Sequence, residues 1–245
     1  MIANAENTLA LVIKASDYNE SDKIITLFSP EYGKFSAHLK GVKKDRAKLK
    51  FVGEPFCFGE FLFSGRNELP VVTSCVQTDS FFELTKNLAN YYCGCVVLET
   101  LSAIEQDRES NGQLFVLALK ALRALCEDLI NPLIVIVKFL VSLFDIMGEQ
   151  LIFDRCACCG KKQAEKFYFD YSSGGLICSS CTKESAFSPE PGVIAVLRMI
   201  SAFSEKELAT YNAAEPLLKN SLKFLNGLMR ENIKRLKSID ELVNL

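Results

Sequence analysis

Four cysteines carry the clearest chemistry in this chain. In the segment CACCGKKQAEKFYFDYSSGGLICSSC, Cys156 and Cys159 form one C-x2-C and Cys178 and Cys181 a second, separated by an 18-residue spacer. This is the spacing of a tetrahedral zinc site with four thiolate ligands. Two cysteines three apart on a tight turn can aim both sulfurs at one ion, and a second such turn completes the tetrahedron. Gly160 follows the first pair, where backbone must close around thiolate sulfur, and FYFDY followed by Gly174-Gly175 reads as a short strand and turn leading to the second pair. Cys158 lies inside the first pair and reads as a bystander. Four thiolates leave no open position for water, so one structural Zn2+ is expected rather than a catalytic one. Such an ion would contribute on the order of 10 kcal/mol to ordering the segment. The bland alternative is four fortuitously placed free thiols. A deaminase would need H-x-E with P-C-x-x-C, but the single histidine, His38, is followed by Leu39 and Lys40.

A second feature is a run of positive charge. Lys34, Lys40, Lys43, Lys44, Arg46, Lys48 and Lys50 face only Asp45 between residues 34 and 50, in a chain whose formal net charge is -2. A basic surface beside an aromatic-bearing barrel can track a phosphate backbone while bases stack on rings such as Phe35 or Phe51. The competing reading is a solvated loop whose lysines only aid solubility. Phe56, Phe58, Phe61 and Phe63 read as barrel core rather than base platforms.

Other chemistry is poorly supplied. One histidine makes a Ser-His-Asp or Cys-His site improbable, and neither G-x-x-x-x-G-K-[ST] nor G-x-G-x-x-G occurs. There is no compact carboxylate cluster to hold magnesium. The residues read as those of a binding protein, not an enzyme.

These features need elements to position them. From about Thr8 to Phe81, TLALVIKAS, DKIITLFS, GKFSAHLKGV, PFCFGEFLFSG and PVVTSCVQTDS are rich in β-branched or aromatic residues. In the first, Leu9, Leu11 and Ile13 alternate on one face. Pro30 with Gly33, Gly53 with Pro55, and Gly65 to Pro70 separate the runs as turn signals. Five short strands predict a small closed barrel of the oligonucleotide-binding (OB) type, with an SH3-like barrel fitting nearly as well. The expected first domain is 1–80. Residues 81–245 read as a helical domain: Phe81–Glu105, Gln113–Leu129, Pro132–Met147, Pro191–Phe203, a short helix with Ser204 and Glu207 as capping box, and Pro216–Leu236. The zinc module, 153–185, is inserted in it. The fold class is therefore α+β and multidomain.

Apolar residues make up 49% of the 245 and charged residues 24%, the balance of an ordinary globular protein. The N-terminus has no basic region followed by an apolar core and cleavage site. The most apolar stretch, Pro132 to Met147, is short for a bilayer and contains Lys138 and Asp145, so it reads as a buried helix. The expectation is a cytoplasmic, nucleoid-associated protein whose ten cysteines are not a disulfide framework.

Together these parts resemble the bacterial RecO family of DNA recombination and repair mediators. The resemblance rests on SDYNESDKIITLFSPEYGKFSAHLKGVKK with Gly33-Lys34 and Lys40-Gly41, and on Asn90-Tyr91-Tyr92 opening a helix. Gly148 before Leu151, the two C-x2-C pairs flanking Gly-Gly, and the ending LKSIDEL also match. It implies an OB-fold, a helical C-terminal domain and a zinc module. It also implies binding of single- and double-stranded DNA, strand annealing without ATP, and action with RecR to load RecA on strands coated by single-stranded-DNA-binding protein. Lys34, Lys40, Lys43 and Lys44 fall on the family's basic DNA-contacting stretch, with Arg46 beside it. The family often has arginine where this chain has Lys43 and Lys44, and lysine cannot fork onto phosphate as guanidinium does. Near the C-terminus, Lys219, Lys223, Arg230, Lys234, Arg235 and Lys237 lie among leucines. This is either a packing helix with a solvated basic face, or the rim of a pocket for the tail of the single-stranded-DNA-binding protein. The runner-up function is a zinc-ribbon protein-interaction adaptor without direct DNA binding; an RNA-binding factor is a third class.

Overall fold

The computed structural model describes residues 7–65, 69–104, 109–182 and 186–245. Parts of the expected Gly65–Pro70 turn, the end of the Phe81–Glu105 helix and the last residues of the 153–185 module lie outside the described residues. The chain divides into two compact units, Met1–Cys126 and Glu127–Leu245.

Five strands build the first unit: β1 (Asn7–Asp17), β2 (Lys23–Ser29), β3 (Gly33–Leu39), β4 (Phe58–Ser64) and β5 (Val71–Asp79). They close in the order β1-β2-β3-β5-β4, and β3 meets β5 in parallel at His38 and Val71. That crossed, closed order is the OB arrangement, not a simple meander. Period-2 alternation sends Ala10 and Val12 of β1 into the interior with Leu27, Phe35, Phe61 and Phe63.

The alternating face of Leu9, Leu11 and Ile13 is not the one that fills the barrel. Leu11 and Ile13 are buried but lie outside the barrel interior, on the side where α1 (Leu88–Ala103) packs against β1. Of the four phenylalanines expected in the barrel core, two lie elsewhere. Phe61 and Phe63 are interior, whereas Phe58 packs outside against Phe81 and Phe115, and Phe56 against Tyr91. With helices on its outside, the strand buries both faces, so alternation alone does not say which face is inside.

The barrel ends at Asp79, and α1 and α2 (Gly112–Glu127) up to Cys126 share its compact unit. Residues 81–103 are not one helix. Phe81 takes a left-handed φ of 48°, Phe82–Lys86 form a 3-10 turn, and the Asn87 side chain caps α1 by accepting from the amides of Ala89 and Asn90.

The second unit contains α3 (Pro132–Ile146), the hairpin β6 (Phe167–Asp170) and β7 (Gly175–Cys178), α4 (Pro191–Ala202), α5 (Glu205–Thr210), α6 (Glu215–Asn232) and α7 (Lys237–Leu242). Helix α3 packs on α4 and α6. Its Lys138 is accommodated because the ammonium donates to the carbonyls of Ile200, Ser201 and Phe203, which close the end of α4. The expected capping box at Ser204 is present, with Glu207 accepting from both the amide and the hydroxyl of Ser204. The expected helix from Pro216 to Leu236 instead stops at Asn232. The buried Asn226 amide accepts from Leu236 N at 2.8 Å and donates to Leu236 O at 2.9 Å, holding a turn ahead of α7. No described helix is long and apolar enough to cross a membrane.

Candidate nucleic-acid surface and metal centre

The basic segment is the connection from β3 to β4. Val42 and Val52 join the barrel core cluster and Leu49 packs against it, so the segment plugs one end of the barrel with apolar pegs. Lys40, Lys43, Lys44, Arg46, Lys48 and Lys50 between and around those pegs are exposed. The spacing of the pegs thus turns the charges outward.

The segment is fastened at both ends. At the start, Asp22 accepts from the Gly41 amide at 2.7 Å and from Ser21 Oγ, and meets His38 Nε2 at 3.0 Å. The Gly41 amide, followed by the Asn19 side chain, holds the Asp22 carboxyl well below the usual carboxylate range. The Lys43 amide donates to the Ser21 carbonyl at 3.0 Å. At the far end, the Lys23 ammonium donates to the Gly53 carbonyl at 2.9 Å and pairs with Glu54 at 3.0 Å. The first set of bonds ties the segment to the β1–β2 connection. That connection and the outer face of β2–β3 are surfaces by which OB barrels hold oligonucleotides.

The sequence-selected cations do not all act alike. Lys40, Lys44 and Arg46 are exposed and make no ion pair among the described residues. Lys43 is pinned: its ammonium pairs with Asp17 at 2.9 Å and donates to the Asn19 carbonyl at 3.3 Å. Lys34 points elsewhere, donating to the carbonyls of Ser102 at 3.1 Å and Ile104 at 2.7 Å, the end of α1. Of the two rings offered as candidate base platforms, Phe35 is excluded. It is buried in the barrel edge-to-face with Phe63 at 5.6 Å and cannot meet a base. Phe51 remains exposed. Sequence reasoning passed over Tyr18, an exposed ring in the β1–β2 connection. Its signal was a lone aromatic in the polar turn run SDYNESD. His38 is half-buried against Asp22.

In the second unit, Cys156, Cys159, Cys178 and Cys181 come together with all four Sγ atoms within 4.8 Å of one another. Cys159 Sγ and Cys178 Sγ lie 3.7 Å apart. A tetrahedral ion bonded to sulfur at about 2.3 Å requires sulfur–sulfur edges of about 3.8 Å, so the cluster fits a metal ion. The positioning is local. Gly160 adopts φ +73° and its amide donates to the Cys156 carbonyl, curling the first knuckle, and the Cys181 amide does the same to Cys178. The β6–β7 pairing brings the two knuckles together. At its turn Gly175 lies where a Cβ would come within 2.8 Å of the Ile152 Cβ.

Burial opposes ionisation of the Cys156 thiol, yet the amides of Cys178, Cys159 and Cys158 outweigh it and bring the thiol down to about 6. Its neighbour Cys181 is pushed up to about 12 by sharing hydrogens with Cys178 and Cys159. Amides aimed at crowded sulfurs are what a thiolate site needs. Cys158 is exposed and outside the cluster. Of the six C-terminal basic residues, Lys219, Arg230 and Arg235 pair with Glu215, Glu231 and Asp240.

A closed five-stranded OB barrel with an exposed basic segment, together with helices and a hairpin whose four cysteines could hold a metal ion, defines a barrel-and-helix protein. Comparisons with known families place their boundary just after the barrel, ahead of the division between the two compact units at Cys126. The family model described as Recombination protein O N terminal matches residues 1–81, and that described as Recombination protein O C terminal matches residues 85–239. The chain belongs to the RecO family. The relative named DNA repair protein RecO in Thermoanaerobacter sp. (strain X514) is 28% identical over 243 residues, 97% of each chain. A protein of the same name in Clostridium kluyveri is 28% identical over 244 residues, covering 97% of this chain and 93% of its own. One in Listeria monocytogenes serotype 4b is 27% identical over 251 residues, covering 98% and 97%.

Proposed function

We propose that this chain is a non-enzymatic mediator of DNA repair and homologous recombination. It binds single- and double-stranded DNA, anneals complementary strands without ATP, and with RecR helps load RecA onto strands coated by single-stranded-DNA-binding protein. The observation that carries the DNA-binding part is the basic β3–β4 segment, held charge-outward by Val42, Leu49 and Val52 and tied to the β1–β2 connection. Neutralising phosphates lowers the repulsion between two polyanions, and proximity does the rest, so annealing needs no catalytic group. The partner proteins follow from the family resemblance. The four-cysteine cluster holds one structural Zn2+, which keeps the β6–β7 hairpin in shape.

The test is annealing of complementary DNA strands without nucleotide, comparing the wild type with Lys40→Glu/Lys44→Glu/Arg46→Glu, three exposed cations that leave the Lys34 and Lys43 contacts in place. Annealing by the wild type and its loss in a still-folded variant is expected. A folded, zinc-loaded wild type that does not anneal would overturn the proposal in favour of a protein-interaction adaptor.

A further inference from the structure

We propose that Tyr18 is the ring on which an unpaired base stacks, so that the basic edge of the barrel distinguishes single-stranded DNA from duplex. This rests on the DNA-binding reading above and adds the contact that senses bases rather than phosphates.

Three observations carry it. Tyr18 occupies the β1–β2 connection, one of the loops OB barrels use for oligonucleotides, and it is 59% exposed against 38% for Phe51. Its backbone is fixed despite that exposure. The Tyr18 amide donates to the Asp22 carbonyl at 3.1 Å. The Lys43 ammonium grips both chain neighbours, the Asp17 carboxylate and the Asn19 carbonyl. Finally, the ring meets His38 of β3 edge-to-face, centroids 5.3 Å apart at 73°, which props it beside the outer face of the β2–β3 pair.

An aromatic ring propped on one side, open on the other and carried on the loop to which the basic β3–β4 segment is bonded combines stacking with charge, as single-strand binding requires. Every base has a π-face, so the contact is tolerant of sequence. A duplex keeps those faces in its own stack and gains only from the charges.

The chain has no tryptophan, so Tyr18→Trp introduces a single fluorescent reporter at the site. Quenching by a thymidine oligonucleotide, and none by saturating duplex of equal length, is expected. Tyr18→Ala should weaken single-strand binding about tenfold while leaving affinity for duplex, and for a strand of abasic sugar-phosphates, within about twofold. Tyr18→Phe should keep the affinity, Tyr18→Leu should behave as Tyr18→Ala, and Phe51→Ala should bind as the wild type. An equal loss on all three ligands would mean that Tyr18 only holds the loop, and the proposal fails. It also fails if Tyr18→Ala binds normally, or if Phe51→Ala shows the single-strand loss instead. Loss in Lys40→Glu/Lys44→Glu/Arg46→Glu with Tyr18→Ala unaffected sinks this inference alone. A folded wild type that binds no DNA sinks the DNA-binding reading and this inference with it.

Discussion

The Lys34 ammonium lies 2.7 Å from the carbonyl oxygen of Ile104, seventy residues on, and 3.1 Å from that of Ser102. It closes the C-terminal end of α1, where carbonyls lack helical partners and the helix dipole favours a cation. The preceding residue shares the task. Gly33 is left-handed at φ +60°, and a Cβ there would fall 2.1 Å from the Glu109 carbonyl oxygen. The Gly33-Lys34 pair therefore works as a joint between barrel and helices. Lys34→Met should cost about 1.5–3 kcal/mol, the worth of hydrogen bonds to a charged group. Lys44→Met should stay within about 0.5 kcal/mol. Denaturant titration checks both; a Lys34→Met protein as stable as the wild type would remove Lys34 from this role.

Salt dependence separates the same residues differently. Log affinity for single strands should fall with log salt by about 0.7 for each phosphate neutralised. With Lys40, Lys44, Arg46 and one further exposed lysine engaged, the slope should be roughly -3. Lys44→Gln/Arg46→Gln should reduce its magnitude by about 1.4, whereas Lys34→Met should leave it unchanged. Binding titrations at several salt concentrations measure this, and a flat wild-type response would show that the segment does not hold backbone.

Asp22 makes the basic segment acid-sensitive. The Gly41 amide, then the Asn19 side chain, hold its carboxyl below the ordinary value. A carboxylate whose folded pKa is depressed stabilises the fold above its unfolded pKa of about 3.9, and the contribution is lost as pH falls through the folded value. Asp22→Asn should therefore melt below the wild type at pH 7, with the gap narrowing as the medium is taken below about pH 4. Thermal melts across that range test it; a gap that does not change with pH would assign the loss to shape rather than charge.

Local features of this protein were legible in its sequence, and contacts between distant residues were not. The four cysteines of the candidate metal centre, Cys156, Cys159, Cys178 and Cys181, could be named because C-x2-C is a local geometry, and the fold brings all four together. The five strands showed themselves through alternation, but which face points inward depends on what covers the outside. That is why Phe56 and Phe58 read as barrel core although they pack outside it, against Tyr91, Phe81 and Phe115. Phe35 looked like a base platform because it stands among lysines, while its side chain goes to the interior. Two helices were drawn too long because the interrupting groups, Asn87 and Asn226, act through hydrogen bonds that hydrophobic period does not register.

The tip of the four-cysteine hairpin has little apolar core of its own. Among the described residues, its tip core consists of Cys156, Ile177 and Cys178 with partly buried neighbours. The base is firmer: Phe169 is fully buried and meets Phe224 of α6 edge-to-face at 4.9 Å. Removing the ion should therefore loosen the hairpin from the knuckles inward. In hydrogen exchange, chelation or Cys159→Ser should expose the amides of Cys178 and Cys181 first and most, with Phe169 retaining part of its protection through the helix. The holo protein should carry one zinc per chain, and Cys158→Ser should change neither the zinc content nor the exchange, since that thiol is exposed and outside the cluster. Because the ion contributes on the order of 10 kcal/mol in such sites, the contrast between Cys159→Ser and Cys158→Ser should be large. Equal exchange with and without metal would show that the backbone hydrogen bonds, rather than the ion, shape the hairpin.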